Sequence, residues 1–386
     1  MKSDKTTPNV PTLRFQEFTN PWTLMPLKKL LCFQNGINAD SAKYGKGVKF
    51  ISVSDILNNQ YITYDCIKGM IDIDKKTKER FLVEYGDILF QRSSETFEDI
   101  GRANVYLDKE HPATFGGFVI RGKKISEYNP MFFRYLLCTP NARKQTVRMG
   151  AGAQHYNIGQ DGLGKISLYF PTIQEQQKIA GFLSALDDRI SVQNKIIEDL
   201  KVLKKELNYS LIGRIINGKS SNCKIEDVID YEQPTNYIVK SDKYIENGET
   251  PVLTANKAFL LGYTIENEGV YNKSDCIILD DFTLDFKYVN FPFKIKSSAI
   301  KILTAKKDIE LRYFYEYLLF LGLTSHEHKR HYISEIAPLP LYLPSIDEQR
   351  SALSALNSIS EIIKVEENYI IALKAQKCFF LRTMFI

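Results

Sequence analysis

Three charged residues in the second half of the chain are the first candidates for chemistry. Asp281, Asp285 and Lys287 combine two carboxylates with a lysine. Metal-dependent phosphodiester cleavage uses carboxylates to clamp a divalent ion beside the scissile phosphate. The three residues are crowded into one predicted loop, which argues against that arrangement. We keep cleavage by the chain itself as an alternative, to be tested by alanine at all three positions.

A histidine-rich tract follows a predicted helix, as His326-Glu327-His328-Lys329-Arg330-His331. Three imidazoles could bind a metal ion, but the tract has no evident fourth ligand. A basic loop end that touches phosphate is favoured over a metal site, and a solvated helix end is the other alternative. We predict no metal site and no catalytic residue in this chain.

The segment Asn129-Pro130-Met131-Phe132 begins a predicted helix, with Asn129 as the N-cap and Pro130 at the first helical position. It also resembles the Asn-Pro-Pro-Phe loop of adenine methyltransferases. Met131 stands where that motif has a second proline, and no glycine-rich loop follows a strand in the required context. The helix start is therefore the favoured interpretation.

Basic residues beside polar loops are the best candidates for contacts with nucleic acid. Lysine and arginine at phosphates give a salt-dependent affinity, and Arg, Asn and Gln can recognise base edges through paired hydrogen bonds. Any single one could equally be a solvated surface charge, so the prediction concerns the whole set. The set is Arg92, Arg102, Arg121, Lys123, Arg143, Lys144, Arg148, Gln154, His155, Tyr156, Asn256, Lys257, Lys287, Tyr288, Lys294, Lys296, Lys329, Arg330 and His331. A net charge of +5 permits a nucleic-acid partner without requiring one.

Two long segments must position these residues, and they are copies of each other. The peptide Pro171-Thr172-Ile173-Gln174-Glu175-Gln176 in the first copy matches Pro344-Ser345-Ile346-Asp347-Glu348-Gln349 in the second. The match continues at one constant offset, without a gap, to the end of the sequence. An internal repeat of this kind decides the organisation of the whole chain.

Each copy is predicted to be a long helix. Thr172 and Ser345 are good N-caps, and Glu175 and Glu348 would complete a capping box in each copy. Apolar residues then recur at the alternating spacing of a coiled-coil seam. The seam residues are Leu183, Leu186, Ile190, Ile197, Leu200, Leu207, Leu356, Ile359, Ile363, Ile370, Leu373 and Phe380. Two ordinary core helices are the alternative, but about 40 residues exceed the usual length of a globular helix.

Lys204 and Lys377 interrupt the seam at equivalent places in the two copies. Polar residues in a seam can fix register and orientation at some cost in stability. We favour that role over a chance occurrence or a contact with nucleic acid.

Mixed α/β regions precede each long helix. The sequence predicts a first globular domain at 1–170, a helix at 171–217, a second globular domain at 218–343 and a helix at 344–386. The fold class is α+β. Residues 223–342 repeat the order of predicted strands and helices of 1–170 only loosely. Because the two globular domains differ while the helices match, we expect the domains to bind different things.

This layout resembles the specificity subunit of a type I restriction–modification system over essentially the whole chain. The two Pro-[Thr/Ser]-Ile-x-Glu-Gln helix starts carry the resemblance, with the strand of Gly86-Asp87-Ile88-Leu89-Phe90 and the strands at 166–170 and 339–343. The resemblance implies two target-recognition domains that each read one half of a split, asymmetric double-stranded DNA site. It also implies two antiparallel coiled-coil helices that set the spacing between half-sites, with an internal pseudo-two-fold repeat.

The same resemblance implies that the chain is non-catalytic. Two methyltransferase subunits would dock on the helices, and restriction–translocation subunits would join them. S-adenosylmethionine, ATP and Mg²⁺ would then belong to the partner subunits, with no cofactor in this chain. A scaffold whose two domains bind proteins in place of DNA is a further alternative, which a gel shift at several salt concentrations would separate.

Composition limits the cellular setting. The six cysteines are scattered without a C-x-x-C pair, which favours reduced thiols in a cytoplasmic protein. The polar N-terminus predicts no signal peptide. The most apolar run, 313–323, contains Glu316 and is too short to span a bilayer, so we predict no membrane contact.

Overall fold

A computed structural model describes residues 9–152, 156–241, 243–255, 258–325, 327 and 329–386. The chain divides into two compact units. Unit 1 comprises Met1–Asn194 and Asn368–Ile386, and unit 2 comprises Lys195–Glu367. Among the residues that the structure describes, no helix combines the length and apolar character needed to cross a membrane.

Nine α-helices lie in the described part of the chain, and two of them are very long. The short helices are α1 (Val53–Asn58), α2 (Lys75–Arg80), α3 (Pro130–Leu137), α4 (Pro140–Arg148), α5 (Gln160–Lys165), α7 (Ile225–Val228) and α8 (Leu311–Leu321). The long helices are α6 (Ile173–Ile216), with 44 residues, and α9 (Ile346–Thr383), with 38 residues. At 1.5 Å per residue α6 is about 66 Å long. Each long helix gives one part to unit 1 and the other part to unit 2.

Over its described residues, unit 1 contains two larger β-sheets and two separate pairs of strands. Their strands are β1 (Thr23–Pro26), β2 (Leu31–Asn35), β3 (Tyr44–Ile51), β4 (Met70–Ile71), β5 (Ile88–Gln91), β6 (Ser93–Ser94), β7 (Ala103–Val105), β8 (Thr114–Phe115), β9 (Val119–Lys124), β10 (Tyr156–Asn157) and β11 (Ser167–Phe170). One sheet has the order β2-β9-β5-β7, a second has the order β4-β3-β8, and β1 pairs with β11 and β6 with β10. The pair β3–β8 is parallel, and the others are antiparallel.

Unit 2 repeats this topology. Its strands are β12 (Cys223–Lys224), β13 (Ile229–Glu232), β14 (Thr250–Leu253), β15 (Leu260–Thr264), β16 (Cys276–Asp280), β17 (Phe286–Val289), β18 (Lys294–Ile295), β19 (Ile300–Ala305) and β20 (Pro340–Leu341). The sheets have the orders β13-β19-β16-β17 and β15-β14-β18, and β12 pairs with β20. Again one pair in the three-stranded sheet, β14–β18, is parallel. The loose repeat in the sequence is therefore a repeat of strand order and direction.

A group of aromatic residues packs together in the core of unit 1. Trp22 packs edge-on against Phe132 and Phe385, and Phe170 packs against Phe133. The core cluster extends to Leu183 of α6 and to the end of α9. In unit 2 the core is built mainly by α8 and the β13-β19-β16-β17 sheet, and Ile212 of α6 and Leu353 of α9 pack against it. Each unit is thus anchored to both long helices.

The long helices run antiparallel, as a coiled coil. In unit 1, Phe182 packs edge-on against Phe380 with ring centroids 4.8 Å apart, and the Arg189 guanidinium lies 5.5 Å from the centre of the Tyr369 ring. In unit 2, Lys201 pairs with Glu367 at 2.6 Å. Residues later in α6 contact residues earlier in α9, so the two helices run in opposite directions. The predicted seam residues are all buried or half-buried. Neighbouring apolar residues outside the seam are 40–64% exposed; they are Val192, Ile196, Val202, Ile362 and Ile371.

The two long helices begin differently, which corrects one prediction. Glu348 of the second copy forms the predicted capping box, since its carboxylate accepts from the Ser345 N–H at 2.9 Å and from the Ser345 hydroxyl at 2.8 Å. In the first copy the Thr172 hydroxyl still caps the Glu175 N–H, at 3.4 Å. The Glu175 carboxylate instead accepts from Arg14, at 2.7 and 2.8 Å, and from the Trp22 indole at 3.2 Å. The reciprocal box was therefore a wrong prediction for the first copy, because a charged partner distant in sequence takes the carboxylate.

Candidate nucleic-acid interface

The turn between β8 and β9 presents a polar and aromatic edge in unit 1. Arg92 follows β5, and its backbone N–H donates to Phe118 O at 2.8 Å while its guanidinium donates to Gly117 O at 3.3 Å. The Phe118 side chain is 70% exposed. Tyr156 joins this edge, because β10 pairs with β6 immediately after Arg92. The structure thus brings two of the predicted DNA contacts, Arg92 and Tyr156, to one place.

Arg102 and Arg143 form a second group in unit 1, since both line one pocket between β7 and α4. Lys144 and Arg148 lie exposed on α4. Lys123 is half-exposed on β9 and pairs with Glu84 at 3.2 Å. Arg102, Lys123, Lys144 and Arg148 are exposed and remain candidates for phosphate contacts, whereas Arg143 is partly buried.

Two predicted DNA contacts lie in the interior, which corrects the sequence analysis. Arg121 is 7% exposed, and its guanidinium donates to Leu82 O and to Gln34 Oε1. Burial lowers the pKa of Arg121, and the nearby carboxylate of Asp87 opposes that change. Lys294 is 2% exposed, and its ammonium donates to Glu268 O at 2.6 Å and pairs with Glu266 at 3.1 Å. Both side chains bind groups of the protein itself and, as placed, do not reach a DNA surface.

Lys287 and Tyr288 lie half-buried on β17 of unit 2. The Tyr288 hydroxyl donates to Asp275 at 2.5 Å, and Arg312 lies 4.6 Å from the centre of its ring. Burial and the hydrogen bond to Asp275 raise the pKa of Tyr288, so the phenol stays protonated. Lys296 lies over the Tyr244 ring. Lys329 and Arg330 are exposed at the far end of the histidine-rich tract.

His331 is buried at 4% exposure and has structural partners. Its Nδ1 lies 2.7 Å from Glu335 Oε2, and its Nε2 lies 2.8 Å from Ser325 Oγ and 3.2 Å from Glu327 O. The hydrogen bond with Glu335 raises the pKa of His331. The imidazole therefore ties the loop before it to the turn after it. It is not placed to contact DNA, which corrects that part of the prediction.

Asp281 and Asp285, the carboxylates that the cleavage alternative requires, interact with other groups of the protein. Asp281 is buried, and its Oδ1 accepts from the backbone N–H groups of His331 and Tyr332 at 3.0 and 2.7 Å. Its Oδ2 lies 3.6 Å from Lys301. Asp285 is exposed and accepts from the Thr283 hydroxyl at 3.1 Å. Among the described residues no three acidic, histidine or cysteine side chains are grouped so that they could hold a metal ion.

Four of the predicted contacts cannot be placed. Gln154, His155, Asn256 and Lys257 lie outside the described residues. Asn129 is described, and it is the N-cap of α3, accepting from the Phe132 N–H at 2.9 Å, with Pro130 at the start of the helix. The helix-start interpretation of this segment is confirmed.

Lys204 and Lys377 each pair with a buried carboxylate. Lys204 donates to Glu316 of α8 at 3.0 Å, and Asn208 donates to the same carboxylate at 3.1 Å. Lys377 of α9 donates to Asp187 of α6, which also accepts from the Tyr135 hydroxyl at 2.8 Å. Only Lys377 joins one long helix to the other, while Lys204 joins α6 to the α/β part of unit 2. The Lys377 pair can therefore fix the register of the two long helices, whereas the Lys204 pair does not act between them, which corrects the role predicted for Lys204.

Comparison with known proteins agrees with this architecture. Residues 21–202 match the model of the type I restriction modification DNA specificity domain. The EcoR124I/EcoR124II specificity subunit of Escherichia coli is 40% identical over 143 residues, which are 36% of this chain and 35% of that subunit. The chain thus matches about a third of the length of that relative. A putative type I MjaX specificity subunit of Methanocaldococcus jannaschii is 22% identical over 91% of this chain and 89% of its own.

Solved structures show the same fold over nearly the whole chain. The type I restriction–modification S subunit from M. genitalium superposes with a TM-score of 0.55 at 16% identity, covering 98% of this chain and 99% of that one. A chain from a study of complex assembly and conformational transition in a type I system gives a TM-score of 0.57 at 13% identity, covering 93% and 96%. Residues 21–202 of this chain are thus similar to the type I restriction modification DNA specificity domain, and nearly the whole chain shares the fold of these solved S subunits.

The glutamine of each Pro-[Thr/Ser]-Ile-x-Glu-Gln helix start is a clamp that sequence reasoning missed. Gln176 accepts from the Asn129 N–H at 2.9 Å and donates to Pro171 O at 3.0 Å. Gln349 accepts from the Glu310 N–H at 2.8 Å and donates to two carbonyl groups, at 2.9 and 3.0 Å. Each clamp fixes the first turn of α3 or α8 to the first turn of a long helix. The sequence signal that could have revealed this role is the glutamine that both helix starts share at the same position.

Proposed function

We propose that the chain is the non-catalytic DNA-reading subunit of a type I restriction–modification complex. The observation that carries the proposal is the repeat of one strand order in two units whose surface residues differ. Each unit would read one half of a bipartite site. Because the side chains at equivalent places differ, the two half-sites would differ in sequence, and the site would not be palindromic.

The exposed basic residues support a DNA partner through the phosphate backbone. Arg102, Lys144 and Arg148 in unit 1 and Lys329 and Arg330 in unit 2 are exposed, and of these Arg102 pairs with Asp99 and Lys329 with Glu327 and Glu335. Neutralising phosphates releases counterions, so the logarithm of affinity falls linearly with the logarithm of salt concentration. Arg92 beside Phe118 is the best placed of the described candidates to reach a base edge, since its guanidinium lies at an exposed turn.

The outer faces of the long helices support protein partners. Large apolar side chains are exposed there, and exposed apolar patches mark interaction sites. They are Phe182, Val192, Ile371 and Phe379 in unit 1 and Ile196, Val202, Leu203, Ile362 and Val365 in unit 2. Two methyltransferase subunits would cover them, with restriction–translocation subunits joining that core in the cytoplasm. S-adenosylmethionine, ATP and Mg²⁺ would be bound by those partners, which would flip the target adenine out of the stack.

The length of the coiled coil suits a spacer between half-sites. Two-fold DNA readers place their half-sites about one helical turn, roughly 34 Å, apart. A helix of 44 residues spans about 66 Å, which is enough to bridge that separation. The helices would therefore set the number of unread bases between the two half-sites.

Gel shifts at several salt concentrations test the proposal. The chain, assembled with its methyltransferase subunits, should bind duplex DNA with affinity that weakens linearly in log salt, and one bipartite sequence should compete best. A chain that shifts no duplex at any salt concentration, while still binding the methyltransferase subunits, would support a protein scaffold and contradict DNA reading.

A further inference from the structure

A pocket in unit 1 is lined by three arginines. It has a volume of about 290 Å³ and lies among the end of α1, strand β7 and helices α3 and α4. Arg102, Arg134 and Arg143 line it together with the amides of Asn59 and Asn104. No aspartate or glutamate is among its lining residues. Guanidinium and amide groups without an acidic residue form the lining that an oxyanion requires.

Asn104 holds one of these arginines in place. Asn104 is 1% exposed, and its amide donates to Ile56 O at 3.0 Å and to Asn59 O at 2.8 Å. Its Oδ1 accepts from Arg134 Nε at 3.2 Å. The amide is therefore fixed by the backbone on one side and fixes the guanidinium on the other. A site that is organised before its ligand arrives loses less entropy on binding.

The other two arginines are held by loop residues outside the pocket lining. One terminal nitrogen of Arg143 donates to Glu98 O at 2.8 Å and to Ile100 O at 2.7 Å. Arg102 Nε pairs with Asp99 at 2.6 Å. Each guanidinium has five N–H groups, so these bonds leave several for a ligand.

The positive charge of the pocket is only partly balanced. Burial lowers the pKa of Arg143, and the positive charge of Arg102 lowers it further. Asp99 balances Arg102, while Asp187 lies 3.9 Å from Arg134 and already pairs with Lys377. An anion in the pocket would relieve the repulsion between Arg102 and Arg143.

We propose that the Arg102–Arg134–Arg143 pocket binds a phosphate group. Arginine forks match the geometry of phosphate oxygens, and three forks can satisfy one tetrahedral oxyanion. The phosphate could be a phosphodiester of bound DNA or a free phosphate ester such as a nucleotide. Only the first source depends on the DNA-reading function proposed above.

Cys138 provides the reporter for a test, because it lines the pocket and is exposed. The other exposed cysteines, Cys32 and Cys378, would be changed to serine in the full-length chain. The rate at which a neutral maleimide alkylates Cys138 is then measured as inorganic phosphate replaces chloride at constant ionic strength. Phosphate in the pocket should slow alkylation to a limiting rate, and the midpoint gives its affinity.

Variants link that protection to the arginines. Arg102→Gln should raise the phosphate midpoint about tenfold, the effect of one charge-assisted hydrogen bond. Arg102 is exposed and its bond to Asp99 is at the surface, so this variant is expected to fold, which Trp22 fluorescence checks. Arg134→Gln and Arg143→Gln should raise the midpoint further. Arg80→Gln, an exposed arginine on α2 outside the pocket, is the matched control and should leave the midpoint unchanged.

Duplex DNA distinguishes the two sources. If the natural ligand is a DNA phosphodiester, duplex should protect Cys138 and compete with phosphate. If it is a free phosphate ester, duplex and phosphate should bind together, and a nucleotide should protect at lower concentration than phosphate. If phosphate protects Cys138 but the chain binds no duplex, the phosphate site is supported and the proposed DNA-reading function is wrong. The inference is wrong if phosphate, pyrophosphate and duplex all leave Cys138 unprotected, or if Arg80→Gln shifts the midpoint as much as Arg102→Gln.

Discussion

Removing the Gln176 clamp should destabilise unit 1 strongly. Gln176→Ala leaves the Asn129 N–H and the Pro171 carbonyl group without their partners, and Gln176 is 4% exposed. An unsatisfied buried polar group costs about 1–3 kcal/mol, so the free energy of unfolding should fall by about 2–5 kcal/mol. For a domain of this size, in which 1 kcal/mol shifts the midpoint of thermal unfolding by about 2–4 °C, that midpoint should fall by roughly 4–20 °C.

The chemistry of the clamp can be separated from its volume. Gln176→Glu preserves the shape and the acceptor for Asn129 but places a carboxylate oxygen against the Pro171 carbonyl group. That variant should be at least as unstable as Gln176→Ala, because two acceptors would face each other in a buried site. Gln376, exposed on α9, offers a matched control, and Gln376→Ala should change the free energy of unfolding by less than about 0.5 kcal/mol.

Trp22 makes the assay specific to unit 1. It is the sole tryptophan, it is buried in the unit 1 core, and its indole donates to Glu175, the neighbour of Gln176. Unfolding in urea is followed by Trp22 fluorescence for the wild type and the three variants. If Gln176→Ala and Gln376→Ala unfold at the same urea concentration, the Gln176 clamp does not stabilise unit 1 and the prediction is wrong. A Gln176→Glu variant as stable as the wild type would refute the assigned hydrogen bonds.

Three further predictions concern the helices and unit 2. Asp187→Ala leaves Lys377 half-buried without its partner, so the Trp22 transition should show a loss of about 3–5 kcal/mol; no loss would mean that the pair is incidental. The folded-state pKa of His331 is raised by Glu335, so its stabilisation is complete below the unfolded pKa of about 6.5 and is lost as pH rises through the folded pKa. His331→Gln should flatten that dependence in amide exchange of unit 2, and an unchanged profile would contradict it. Inserting four residues after Leu200 should lengthen the preferred DNA spacer, as sequencing of methylated adenines would show, and altered half-sites would contradict the division of roles.

Local signals predicted the elements well. Helix α8 precedes the histidine-rich tract, where a helix was predicted, and the Asn129–Pro130 start of α3 is as expected. Capping residues and apolar periodicity act within a few residues, so a single sequence contains them. The repeat predicted that the two long helices pack on each other, because two matching apolar stripes in one chain favour such packing, and the resemblance to specificity subunits implied their antiparallel direction.

Side-chain positions were harder to predict where the deciding partner is distant in sequence. Arg121 lies on β9, a strand buried on both faces over its first four residues, so its position in the sequence did not reveal that it is internal. The Glu175 carboxylate is taken by Arg14, and Lys204 by Glu316, each more than 100 residues away. Arg102 and Arg143 were predicted as DNA contacts, but Arg134 was not, because nothing in the sequence distinguishes it from other residues of helix α3. The pocket forms only in the fold, where β7 and α4 bring Arg102 and Arg143 to the same pocket as Arg134.

Sequencing of methylated adenines in cells that carry this chain with the methyltransferase and restriction subunits proposed as its partners tests the central claim most directly. Two unlike units of one topology, each anchored to both long helices, predict a split motif with two different half-sites and a fixed number of unread bases between them. A continuous motif, or a palindromic one with identical half-sites, would contradict the account.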